Sequence, residues 1–128
     1  MTQQEGATHW MNGALDALKA AKLLHANGQY ALCLFHAHLA VEKCLKAVII
    51  LQKDAAPPKS HNLSLLAQTI ESDWSENDRT DLDELSVYAT SARYEEIEWQ
   101  EQKATEENAG FWLKKAENFL ARFSTLLP

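Results

Sequence analysis

The chain has 128 residues, of which 46% are hydrophobic and 23% charged, so it fits one globular domain and excludes a disordered or collagen-like chain. Its formal charge of -6 argues against a protein that coats nucleic acid or an anionic membrane through bulk charge. Because no basic segment followed by an apolar run opens the sequence and no apolar stretch of about 20 residues occurs, we expect a cytoplasmic protein without a membrane span.

Helical periodicity dominates the first part of the chain. From Thr8 to Ala26 apolar residues recur every three or four positions, which predicts a helix with Thr8 as its N-cap and the following Asn-Gly pair as its stop. A longer second helix is predicted from Gln29 to about Gln52, and apolar residues nearly encircle it. Such a helix is covered by more than one neighbour, either inside a bundle or across a subunit contact.

Proline residues and capping residues mark the next element. Pro57 and Pro58 end the second helix, because proline lacks the backbone N–H and restricts the residue before it. Ser60 or Asn62 can cap a brief third helix over about residues 63–71.

The remaining sequence repeats the helical period. Ser75 and Asp78 resemble a capping box that opens a fourth helix, and residues 105–127 carry the pattern of a last helix. No useful stretch alternates as a strand would. We therefore expect an all-α, up-and-down helical bundle of about five helices, which forms one domain over residues 1–128 with its core at about 8–125.

Charge is segregated along the chain. Residues 71–84 carry seven acids and one Arg, and residues 94–108 carry six Glu and one Lys. The two windows contribute -6 and -5, so the rest of the chain carries +5. We interpret residues 94–108 as an acidic connector between helices.

Motifs for metal binding and catalysis are absent. Of the five histidines, His36 and His38 are closest in sequence but point about 200° apart on a helix, and neither metal-binding Glu-x-x-His nor His-Glu-x-x-His occurs. Cys33 and Cys44 are separated by about 16 Å along the helix, which is beyond disulfide reach, so we expect reduced core thiols. We expect no metal, no cofactor and no catalytic residues.

The second helix carries the charged residues of greatest interest. Glu42 and Lys46 form an (i, i+4) pair, and Lys43, Lys46 and Lys53 follow one edge of the helix. This edge is interpreted either as a solvated face or as a basic edge that meets a phosphate or a partner. His38 falls on the apolar face, where a hydrogen-bonded core histidine is expected.

A pattern of small, charged and aromatic residues extends across the chain. It comprises Gly28-x-Tyr30, Phe35-x-Ala37-x-x-Ala40-x-Glu42-Lys43-x-Leu45-Lys46-Ala47, the turn Ser60-His61-Asn62-Leu63 and the triplet Ala92-Arg93-Tyr94. Over about residues 8–125 this pattern resembles the HEPN domain, the higher eukaryotes and prokaryotes nucleotide-binding domain.

The resemblance implies a helical bundle, often dimeric, that acts beside a minimal nucleotidyltransferase. Several branches of the family are metal-independent ribonucleases that use an Arg followed, after about four to six residues, by a His. Here no histidine follows His61, so none of Arg79, Arg93 and Arg122 completes that motif. In-line RNA cleavage would lack its acid–base group.

The resemblance therefore predicts a non-catalytic binding module. Its expected partner is a minimal nucleotidyltransferase, in a toxin–antitoxin-like pair, and its expected ligand is a mononucleotide rather than bulk nucleic acid. A ribonuclease with an unorthodox site and a ligand-free dimeric scaffold are the alternatives. A homodimer is expected because the second helix is apolar around most of its circumference and because Trp99 and Phe111 look exposed.

The expected ligand site combines two parts of the chain. The basic edge of Lys43, Lys46 and Lys53 would join Arg93 and Tyr94, which supply a phosphate fork and a stacking face.

Glu42, His38 and His61 are expected to be structural residues. In the alternative interpretation Arg93 pairs with Glu42, and Tyr94 packs against the bundle.

Overall fold

The computed structural model describes residues 2–89 and 102–127. Within these two ranges the chain forms five complete α-helices, one 3-10 turn and no strand, which confirms the all-α prediction. The elements are α1 (Gln3–Ala26), α2 (Tyr30–Lys53), α3 (Leu63–Gln68), α4 (Glu76–Ser86) with the 3-10 turn Val87–Ala89 directly after it, and α5 (Glu106–Ser124).

Helix α1 begins earlier than its apolar pattern predicts. The N-cap is Thr2, whose side chain accepts a hydrogen bond of 3.1 Å from the backbone N–H of Glu5. The expectation that Thr8 caps this helix is wrong, because Thr8 already lies inside it. Apolar periodicity marks the part of a helix that packs against its neighbours. The first turn of α1 is mostly exposed and polar, so the periodicity does not include it, and the cap decides where the helix begins.

The stop of α1 lies where the sequence predicts it. Asn27 is the C-cap, and Gly28 follows with a φ of 75°, in the left-handed region that glycine adopts without strain. The N–H of Gln29 then bonds to the carbonyl of Leu24 over 2.8 Å. This tight closure turns the chain so that α2 runs back along α1.

Helix α2 is the central element of the bundle. Helix α1 packs along one side of it, α5 packs along another, and α3 and the 3-10 turn contact it as well. Leu34, Val41, Leu45 and Val48 are fully buried, and Phe123 of α5 is fully buried in the same core. Multiple coverage of this helix was predicted from its encircling apolar residues, and the structure confirms it.

The connection after α2 returns the chain to that helix. Asp54 ends α2 in a left-handed conformation with a φ of 50°. Asn62 caps α3, since its side-chain oxygen accepts from the N–H of Leu65 over 3.1 Å. The cap at Asn62 was one of the two predicted, and α3 ends at Gln68, earlier than the predicted boundary.

Helix α4 begins at the predicted capping box. The Ser75 side chain accepts from the N–H of Asp78, and the Asp78 carboxylate accepts from the N–H of Ser75. Helix α5 ends at Ser124, a turn before the predicted limit. Residues 94–101 of the predicted acidic connector lie outside the described residues, and residues 106–108 already belong to α5.

Across the part of the chain that the structure describes, no helix combines the length and apolar character needed to span a bilayer.

Candidate functional site

Four ionisable side chains meet where the turn before α3 crosses the middle of α2. We call His38, Glu42, Lys46 and His61 the Glu42 cluster. The first three occupy successive turns of α2, because residues four apart share a helix face. His61 arrives from the loop that follows Pro57-Pro58, and the Asn62 cap of α3 fixes the end of that loop.

Glu42 is the centre of this cluster and is only 4% exposed. Its Oε2 accepts a hydrogen bond of 3.1 Å from Lys46 Nζ, and its Oε1 accepts one of 2.8 Å from His61 Nδ1. A buried carboxylate is costly unless it is paired, and here each oxygen has its own partner.

Lys46 is buried with Glu42, at 6% exposed. Its ammonium also lies 5.3 Å from the centroid of the Trp10 ring of α1. The prediction that Lys46 stands on a solvated or ligand-facing edge is wrong, because α1 covers this part of α2. The cation meets a carboxylate and an aromatic face inside the bundle and does not face solvent.

The other two lysines of the predicted edge have different environments. Lys43 is half-buried, and its stem lies across α1 at Gly13, where an added Cβ would come within 3.1 Å of Lys43 Cδ. Lys53 is exposed at the last residue of α2. The three lysines therefore do not form one solvent-facing edge.

His38 is the core histidine that the apolar face predicts, at 1% exposed. Its Nε2 donates to the backbone carbonyl of His61 over 2.9 Å, so the ring proton is assigned to Nε2. Burial lowers the pKa of His38, although the hydrogen bond to His61 and the charge of Glu42 act in the opposite direction. His38 Nδ1 has no partner among the described residues.

His61 differs from the other members because its side chain is 69% exposed. Its Nδ1 is held by Glu42, while its carbonyl is held by His38. The imidazole is therefore open to solvent but fixed in orientation, as in carboxylate–histidine pairs elsewhere. The sequence predicts a structural role for His61 but not its exposure, because the contact with Glu42 spans a loop that no periodicity describes.

His61 also lines an open depression of about 330 Å³. The opposite wall comes from the end of α4 and the 3-10 turn, which contribute Asp83, Ser86 and Val87. Ser86 Oγ accepts from the N–H of Leu63 and donates to the carbonyl of Leu82, so it ties α4 to α3. The depression is thus built from two elements that a hydrogen bond joins.

Part of the predicted ligand site falls outside the residues that the structure describes. Arg93 and Tyr94 lie outside the described residues, as does Trp99. The alternative pairing of Arg93 with Glu42 falls outside them too. Phe111, the other aromatic residue expected at the surface, is 52% exposed.

The two cysteines are core residues without exposed thiols. Cys33 and Cys44 are fully buried, and burial raises the pKa of Cys33 to about 11 and that of Cys44 to about 12. Neither carries the thiolate that nucleophilic chemistry requires near neutral pH. Within residues 2–89 and 102–127, no three His, Cys, Asp or Glu side chains group closely enough to hold a metal ion.

A second group of ion pairs joins α4 to α5, and we call it the α4–α5 cluster. Arg122 donates to Asp78 over 2.8 Å, and Lys115 donates to Asp81 over the same distance. Arg122 also donates to the carbonyl of Asp73. The sequence does not predict the α4–α5 cluster, because its partners are far apart in the chain and no spacing rule connects them.

Comparison with known proteins identifies the family and the fold of the chain. The HEPN domain model matches residues 7–126, so the chain belongs to the HEPN domain family. Among solved structures, the crystal structure of TT1696 from Thermus thermophilus is similar, with a TM-score of 0.79 and 22% sequence identity. That similarity covers 94% of this chain and 98% of TT1696, and at this identity it shows the shared fold. Comparison with curated proteins gives no match.

Proposed function

We propose that this HEPN domain is a non-catalytic binding module that pairs with a minimal nucleotidyltransferase, in a toxin–antitoxin-like arrangement, and binds a mononucleotide. One observation carries the non-catalytic part: no histidine follows any arginine of the chain, so the acid–base group of the family's ribonucleases is missing. Membership of the family supports the choice of partner.

The charges of the described surface support a small ligand over a long one. Helix α4 carries Glu76, Asp78, Asp81, Asp83 and Glu84 against one Arg. Such a surface repels a polymer of phosphates that extends across it, whereas a mononucleotide needs only a local donor. We expect nucleotide binding weaker than about 1 µM, and long RNA to bind less well per phosphate than the nucleotide.

Partner binding is tested with a minimal nucleotidyltransferase from the same organism. The two proteins are co-expressed with a tag on one of them, and we expect a complex of fixed stoichiometry by size exclusion and light scattering. An unrelated nucleotidyltransferase of similar size and charge serves as the control. Equal recovery of both enzymes, or of neither, would contradict the pairing.

A cleavage assay separates this proposal from the ribonuclease alternative. The chain is incubated with labelled RNA in EDTA, beside an Arg93→Ala variant, and we expect no cleavage by either protein. Cleavage by the wild type that Arg93→Ala abolishes would establish the ribonuclease. Absence of cleavage, partner binding and nucleotide binding together would leave the dimeric scaffold.

A homodimer remains part of the proposal, and the exposed ring of Phe111 at 52% supports it. Light scattering at tens of micromolar should give about twice 14.4 kDa. Phe111→Glu should yield a monomer. Leu15→Glu, at a site on α1 that is 50% exposed, is the matched control and should stay dimeric. A wild-type monomer would reject the dimer.

A further inference from the structure

His61 combines an imidazole that is exposed to solvent with a ring orientation that the protein fixes. The His61 side chain is 69% exposed, yet its Nδ1 lies 2.8 Å from a buried carboxylate and its carbonyl accepts from His38 over 2.9 Å. Nδ1 carries the proton that Glu42 accepts. Nε2 has no hydrogen-bond partner among the described residues, so it can bind a ligand.

The charge of Glu42 does not cancel this binding capacity. Its second oxygen is already paired with Lys46 at 3.1 Å, so the carboxylate and the ammonium balance each other. When both ring nitrogens carry a proton, Glu42 holds Nδ1–H and Nε2–H can donate to an anionic oxygen. His61 can therefore present one N–H donor at the surface, in an orientation that Glu42 fixes.

The depression beside His61 supplies complementary groups. Asp83 is an exposed carboxylate, an acceptor suited to ribose hydroxyl groups, and Val87 is a 54% exposed apolar side chain. The volume of about 330 Å³ lies at the lower end of the range for small-molecule sites. An anion donor, a hydroxyl acceptor and an apolar wall match the parts of one nucleotide.

We propose that this depression binds a nucleoside monophosphate, with His61 Nε2 on the phosphate, Asp83 on the ribose hydroxyl groups and Val87 against the base. The proposal rests on the mononucleotide binding proposed above and relocates it from the lysine edge to the turn before α3. Asp83 and its neighbour Glu84 repel additional phosphates, so a monophosphate binds better than a triphosphate.

The test compares two histidine variants in titrations with AMP, monitored by calorimetry or by amide chemical shifts. His61→Asn keeps a side-chain N–H at the position of Nδ1, and so retains the Glu42 contact, but removes Nε2. We expect about tenfold weaker AMP binding, because a charge-assisted hydrogen bond is lost. His36→Asn is the matched control, and this variant should bind AMP normally. The His36 ring is likewise held through Nδ1, which donates to the backbone carbonyl of Leu32.

Three further ligands and one further variant assign the parts of the nucleotide. Asp83→Asn should weaken adenosine binding severalfold and should not weaken the binding of inorganic phosphate. ATP should bind the wild type less tightly than AMP. Tighter binding of ATP would overturn the assignment.

The outcomes separate this inference from the proposed function. Equal AMP affinity of His61→Asn and the wild type would overturn the His61 site and leave nucleotide binding intact. No AMP binding to the wild type at about 10 mM would overturn both this site and the nucleotide part of the proposed function. Recovery of the nucleotidyltransferase complex is independent of either result.

Discussion

The Glu42 cluster and the α4–α5 cluster contain the same kinds of ion pair in different surroundings. Their shortest contacts are alike, since His61 and Glu42, Lys115 and Asp81, and Arg122 and Asp78 are each separated by 2.8 Å. Burial separates them: the side chains of Lys46 and Glu42 are 7% and 5% exposed, whereas those of Lys115 and Arg122 are 35% and 36% exposed.

Distance alone therefore does not decide what an ion pair contributes. In the interior, removing one partner leaves a charge that water does not reach and that the remaining contacts stabilise only in part. At the surface, water replaces a lost partner at little cost, and salt screens what remains. We expect substitutions in the Glu42 cluster to be more costly and strongly coupled, and those in the α4–α5 cluster to be small.

The largest effect is expected for Lys46→Met, which keeps the length of the stem and removes the ammonium. The charge of Glu42 then has His61 alone as a partner, and we expect the free energy of unfolding to fall by about 3–5 kcal/mol. Urea denaturation followed by circular dichroism measures it. The double variant Glu42→Gln with Lys46→Met should recover most of the loss, because no buried charge remains. A double variant that is less stable than Lys46→Met would contradict this account.

His38 makes the Glu42 cluster sensitive to acid. Burial lowers the pKa of His38 in the folded protein, so the unfolded chain binds a proton at a higher pH than the folded chain does. The associated stability is present above the unfolded value of about 6.5 and is lost as the pH falls below it, by at most about 1.4 kcal/mol per pH unit.

This pH dependence is measured by urea denaturation at several pH values between about 8 and 5. His38→Gln is the comparison variant, because its side-chain N–H can still donate to the carbonyl of His61 and cannot titrate. We expect the variant to lose less stability than the wild type over this range. Parallel curves for the two proteins would show that His38 does not carry the effect.

An intermediate effect is expected for Arg122 of the α4–α5 cluster. Its guanidinium pairs with Asp78, and its Cζ lies 5.0 Å from the centroid of the Trp74 ring. We expect Arg122→Ala to lower the free energy of unfolding by about 1 kcal/mol, since the pair is partly exposed. Arg122→Lys should recover only part of this, because an ammonium lacks the planar fork and the stacking face. Full recovery would show that charge alone matters at this position.

The same contrast explains what the sequence could and could not predict. Periodicity, the Asn-Gly stop and the Ser75 capping box are local patterns, and they predicted the helices to within about one turn in most cases. His38 was placed in the core from its helix face alone. Lys46 was misplaced because its burial depends on Trp10, which lies on another helix and has no fixed sequence relation to it.

The smallest effect on stability is expected for Lys115, whose ion pair with Asp81 lies at the surface of the bundle. Lys115 Nζ lies 2.8 Å from Asp81, but both groups reach solvent, with the Asp81 side chain 22% exposed. Removing the ammonium by Lys115→Met should change the free energy of unfolding by at most about 0.5 kcal/mol at low salt, because water solvates the carboxylate left behind. The difference should shrink further at about 1 M salt, because salt screens charges that reach solvent. Thermal denaturation at both salt concentrations measures it, with Lys46→Met as the reference. If Lys115→Met were as damaging as Lys46→Met, and equally so at both salt concentrations, burial would not be what distinguishes the two clusters.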